Sequence, residues 1–164
     1  LKDGAYIGWS NSLAHPGKVT HNVYLVKTID GMRVTKTFDP LALFPSIKLR
    51  RKDVAVRSPY LREARGAVLT SVEGVSMVMF CMPPGQWVSM LFLSPEPSSN
   101  ENVLTGVELF SRKEYAGVQR LARIVWVPIA PGFAALMRAA RIPTWQEMDQ
   151  IPDFVAKILC QPVG

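Results

Sequence analysis

Histidine and cysteine are nearly missing from this 164-residue sequence, which has two of each. The histidines, His15 and His21, both lie near the start and flank a Pro-Gly turn, so neither helical nor strand spacing brings them together. That scarcity leaves little material for a zinc site or for general acid–base work. Cys81 and Cys160 cannot make a disulfide framework, which takes several pairs, and both read as reduced thiols of a cytoplasmic protein. No CxxC, HExxH, GxGxxG, Walker-type loop or GxSxG elbow occurs. The sequence therefore predicts no catalytic residues, no metal and no cofactor. It also lacks repeats, low-complexity tracts and any charged-then-apolar leader pattern.

Charge is missing from one long stretch. Nothing between Glu73 and Glu96 is charged. A run of this length is long enough to cross a bilayer as a helix, but Pro83-Pro84-Gly85 sits in its middle and breaks it. The region reads instead as three consecutive strands between Gly66 and Pro95, rich in Val, Met, Leu and Phe and separated by Glu73-Gly74 and Pro83-Pro84-Gly85. With so little polarity, the expectation is the centre of a sheet buried on both faces. Met77, Met79 and Cys81 alternate along one strand, with Met82 just beyond. Soft sulfur ligands suit copper, but methionine at alternate positions is also ordinary core filling, and the core reading is preferred. A buried Cys81 would have a raised thiol pKa and be no nucleophile. Cys160 is read as packing.

Charge of one sign is concentrated elsewhere. The net charge is +6. Lys48, Arg50, Arg51, Lys52, Arg57, Arg62 and Arg65 stand against Asp53 and Glu63, so seven minus two places +5 within residues 48–65. Tyr60 sits among them, able to stack on a base or pack against an arginine. Clustered Arg and Lys facing outward suit phosphates, whether of RNA or of an anionic membrane. The alternative is a solvated strand whose charges discourage edge-to-edge pairing.

The rest of the chain reads as strands followed by helices. Gly4–Trp9 is a short strand. Asn22–Phe38 is a hairpin centred on Asp30-Gly31, which suits the positive φ angles of a type I′ turn. It is half polar, so it is placed toward a sheet edge. Leu41–Phe44 forms one helical turn, and Ser46–Ser58 forms one or two strands. Pro95–Asn102 is a loop. Val103–Phe110 is a strand with Gly106 at a bulge. Ser111 and Glu114 have capping-box spacing, and Leu121–Ile129 is the last strand. Helices follow: Phe133–Ala140, one capped by Thr144, and Asp153–Leu159, whose Phe154, Val155, Ile158 and Leu159 form an apolar stripe.

The expected fold is α+β and mainly β: one domain over residues 1–164, with seven to nine strands in a sandwich or curled sheet and short helices at the C-terminus. The expected function is a non-enzymatic binding or assembly domain, comparable in type to viral matrix or coat domains. Its basic surface (Lys48, Arg50, Arg51, Lys52, Arg57, Tyr60, Arg62, Arg65) would engage RNA or an anionic membrane from the cytoplasm. It would do so as a homo-oligomer and without a transmembrane segment. Two other classes compete. One is a hydrolase for a phosphorylated substrate, assembled from dispersed residues such as His15 or His21 beside Asp39. The other is a protein–protein interaction domain that uses exposed apolar residues.

Overall fold

A computed structural model of the chain describes residues 1–12, 17–38, 63–81, 88–97, 102–110, 121–143 and 145–162. Eight strands form a meander: β1 (Gly4–Asn11), β2 (Lys18–Ile29), β3 (Met32–Phe38), β4 (Glu63–Thr70), β5 (Ser76–Cys81), β6 (Val88–Pro95), β7 (Leu104–Phe110) and β8 (Leu121–Pro128). Each pairs antiparallel with its neighbour in sequence, and β8 returns to β1 with Ile7 opposite Val127 and Trp9 opposite Val125. The sheet is therefore a closed barrel. The curled, mainly β fold with C-terminal helices expected from the sequence is what forms.

Local chemistry explains the turns. Ile29 faces Met32, so the β2–β3 loop is the two residues Asp30 and Gly31, with φ of 51° and 77°. Positive φ at both positions is what a type I′ turn requires. The hairpin is not at an edge, however, because β2 continues onto β1 and β3 onto β4. Ring closure removes the edges that an open sheet would have. Gly106 is not at a bulge either. Its register with Leu93 and Ile124 is unbroken, and a Cβ there would fall 1.7 Å from the Phe92 carbonyl oxygen, so close backbone approach excludes a side chain.

Alternate residues of every strand point into the barrel, and eight strands leave an interior just wide enough for side chains. Tyr6, Tyr24, Val26, Ala64, Val68, Val78, Phe80, Leu91, Leu93, Leu104, Ile124 and Trp126 fill it. Tyr24 stacks on Trp126 with ring centroids 4.2 Å apart and meets Phe80 at 5.5 Å. Tyr6 also meets Trp126, with centroids 5.6 Å apart, and donates its hydroxyl to the Lys2 carbonyl.

The C-terminal segment covers part of the outside. Helix α1 (Phe133–Ala139), a 3₁₀ turn (Met148–Gln150) and helix α2 (Asp153–Leu159) lie against the outer residues of β8, β1 and β2. Ile7, Trp9, Val19, Val23, Val125, Ala139, Ala140, Ile151, Val155 and Leu159 form this second core, with Val103. Phe154 departs from the expected stripe and is exposed, as is Phe133. A helix starting at Trp145 does not form. Trp145–Glu147 is instead a ninth strand, β9, paired with Lys18–Thr20 of β2. The pairing is pinned by a Lys18–Glu147 ion pair at 3.0 Å, and Gln150 folds back onto the Glu147 backbone N–H at 3.0 Å. Asn11 donates to the Leu159 carbonyl at 3.0 Å, and Arg123 donates to the carbonyls of Gln161 and Pro162.

Candidate docking face on the barrel exterior

The uncharged stretch has one buried face, not two. Strands β5 and β6 alternate buried and accessible residues from Ser76 to Cys81 and from Val88 to Ser94. Ser76, Val78, Phe80, Ser89, Leu91 and Leu93 point inward; Met77, Met79, Cys81, Val88, Met90, Phe92 and Ser94 point outward. Burial on both faces needs a second layer, and among the described residues the helices supply one only to the opposite side of the ring.

Register places the outward residues side by side. Ala67 of β4 faces Met79, Met79 faces Met90, and Met90 faces Leu109. In the next row Leu69 faces Met77, Met77 faces Phe92, and Phe92 faces Val107. Cys81 faces Val88 and Arg65. Leu69, Met79, Val88, Phe92 and Leu109 retain 59%, 40%, 41%, 42% and 45% exposure, values that core residues do not show. No outward position of β5, β6 or β7 carries a charge. The result is a continuous apolar wall four strands wide, margined by Arg65 on β4 and Arg123 on β8. Scaled by side-chain areas of about 150–200 Å², those exposures and the half-buried neighbours give a patch of about 600 Å², at or above the largest on most monomers.

The basic cluster enters this geometry at one residue. Arg65 is exposed on β4, opposite Lys36 and Cys81. Lys48, Arg50, Arg51, Lys52, Arg57, Tyr60 and Arg62 lie outside the described residues, as do the expected elements over 41–58, the Ser111–Glu114 cap, Met82 and Thr144. His15 and Asp39, two members of the hydrolase alternative, lie outside them as well. The third, His21, is fully buried on the covered wall, where its Nε2 stands 3.3 Å from the Ala139 carbonyl. It is packed under α1 and does not line a cleft.

The sulfur residues are placed otherwise than expected. Cys81 and Cys160 are both exposed and are not joined in a disulfide, Cys81 on the bare wall and Cys160 at the end of α2. Met79 and Met90 are direct cross-strand neighbours with Met77 beside them, an arrangement that supplies soft, deformable apolar surface. Among the described residues no three His, Cys, Asp or Glu side chains converge, and no helix is long and apolar enough to cross a membrane.

Sequence reasoning missed the polar part of the interior. Glu108 is 5% exposed inside the barrel. Burial pushes the Tyr24 hydroxyl pKa well above its usual value, and the Glu108 carboxylate adds to this; the Asn22, Thr37 and Trp126 side chains partly oppose it. The Thr35 and Ser89 hydroxyls, also inward, find no hydrogen-bond partner among the described residues. Glu108 falls in step with inward-pointing Leu104 and Gly106, a signal that strand parity alone could have given. Outside the barrel, a shallow groove of about 510 Å³ runs between the N-terminal residues and Pro128–Leu136. It holds Asp3 and Lys2 but no group of unusual chemistry. Comparison with family models, with curated proteins and with solved structures found no match.

Proposed function

We propose that the chain is a non-enzymatic assembly domain, a rigid barrel that docks through its bare β4–β7 wall and carries the basic 48–65 stretch to a polyanion. The bare wall supports this reading most directly. An uncharged patch of about 600 Å² costs about 25 cal/mol per Å² to leave in water, a standing drive toward contact with another surface. The covered wall of the same barrel is the reference for what such residues do when a layer is supplied.

The polyanion half rests on the charge count in the sequence, with exposed Arg65 at the wall's margin as its described member. In the cytoplasm the acceptor would be RNA or an anionic membrane surface. An oligomer would multiply a modest patch through effective concentration. The test is binding to mixed RNA and to phosphatidylserine vesicles at low and at physiological salt. Affinity should fall steeply with salt as counterions are released, and more weakly for Arg50→Glu/Arg51→Glu. Absence of binding to both at low salt would remove the polyanion half.

A further inference from the structure

We infer that the occupant of the bare wall is a second copy of this chain, packed face to face about a twofold axis near Met79 and Met90. This rests on the docking reading above and names its partner.

Three observations on the wall favour self-pairing. The first is area. Two copies would bury about 1,200 Å² in total, at the lower limit of stable interfaces and in keeping with a dimer that dissociates in the micromolar range. The second is charge. The chain carries +6, so two copies repel at most approaches. The outward positions of β5, β6 and β7 are uncharged, which makes this wall the place where like molecules meet without opposing charges. The third is the form of the surface. A closed barrel offers no free strand edge there, so partners cannot add a strand and must pack side chain to side chain. Sheet faces pack at about 10 Å with strands nearly aligned, and a twofold axis lets the same patch serve both partners. Met77, Met79 and Met90 at the centre can adapt their rotamers to copies of themselves.

The two exposed cysteines report on this arrangement. Cys81 lies two residues along β5 from Met79, so an axis at Met79–Met90 puts the two Cys81 Cα atoms about 17 Å apart. That is too far for a disulfide and within reach of a bismaleimide with a spacer of about 13 Å. Cys160 sits on α2, which packs on β8 and β1, across the ring from β5. Two Cys160 residues in the same dimer would be more than about 40 Å apart, with a barrel and a helix layer on each side.

The experiment combines cross-linking with sedimentation. The wild type at about 100 µM should sediment largely as a dimer and cross-link with bismaleimidohexane. Cys160→Ser should cross-link as well as the wild type, and Cys81→Ser should lose at least about nine-tenths of the product, since only Cys81 is in reach. Phe92→Glu should shift dissociation at least about 30-fold toward monomer, because a buried unpaired charge is introduced twice; unchanged circular dichroism would show that it folds. A wild type that stays monomeric overturns self-pairing alone and leaves the docking reading standing. A dimer that cross-links through Cys160, or that survives Phe92→Glu undiminished, overturns self-pairing through this wall, again without touching the docking reading.

Discussion

One barrel has two outer walls. On β8, β1 and β2 the outward residues include Ile7, Trp9, Val19, Val23 and Val125, all buried beneath α1, α2 and the 3₁₀ turn. On β4 to β7 the outward residues are as apolar, yet Leu69, Met79, Val88, Phe92 and Leu109 are exposed and Met77, Met90 and Val107 only half-buried. Composition does not separate the walls; cover does. The difference teaches that outward hydrophobicity marks where a second layer belongs, whether the chain supplies that layer or another molecule does.

The comparison breaks most visibly if matched truncations on the two walls cost the same. Leu159, on α2 where it packs down onto the covered wall, is 2% exposed, and Leu159→Ala should destabilise by about 2–4 kcal/mol through lost transfer energy and an unfilled cavity. Phe92→Ala on the bare wall should cost the monomer less than about 1 kcal/mol, since its ring is already half in water. Urea unfolding at low micromolar concentration measures both. Equal losses would mean that the bare wall is covered in solution by its own chain.

A control away from both walls sharpens the scale. Gly31 has φ of 77°, and Gly31→Val should cost about 1–2 kcal/mol by forcing a β-branched residue into left-handed backbone. Unchanged stability would mean that the turn relaxes freely and that backbone strain is no yardstick here.

How much of this was legible depended on the range of the interaction. Asp30-Gly31 was readable because φ preference is a property of two residues. The strands were readable because alternation is local. Ring closure was not, because Ile7 meets Val127 across 120 positions and nothing local in either announces it. The same nonlocality misplaced the hairpin at an edge. Thr144 reads as an N-cap and predicts a helix from Trp145. Pairing with Lys18–Thr20 and the Lys18–Glu147 ion pair overrode it. The bare wall was misread for a different reason. Absence of charge from Gly74 to Pro95 says that those residues avoid water, but not which molecule covers them.

The smallest effect concerns the hairpin's tether to the N-terminus. The Asp3 carboxylate accepts from the Thr28 backbone N–H at 2.8 Å and from its hydroxyl at 2.9 Å, with Arg33 at 3.6 Å. The Thr28 backbone bond, then the hydroxyl bond, hold the Asp3 pKa below its usual value. A depressed folded pKa means that the stabilisation is present above the unfolded pKa and is lost as pH falls through the folded one. Asp3→Asn should therefore remove a small acid-side slope from thermal stability and leave the neutral-to-alkaline profile parallel to the wild type. Since Asp3 lies outside both walls, dimerisation should be untouched.

The most direct test of the central claim is a dilution series followed by NMR of ¹³C-methyl methionine. Met77, Met79 and Met90 lie on the bare wall, whereas Met148 belongs to the layer packed over the covered one. Between about 500 and about 20 µM the three bare-wall methyl signals should shift or broaden together while Met148 holds its position, as a micromolar interface requires. Movement of Met148 with the bare-wall signals stationary, or no movement of any of them, would contradict the account.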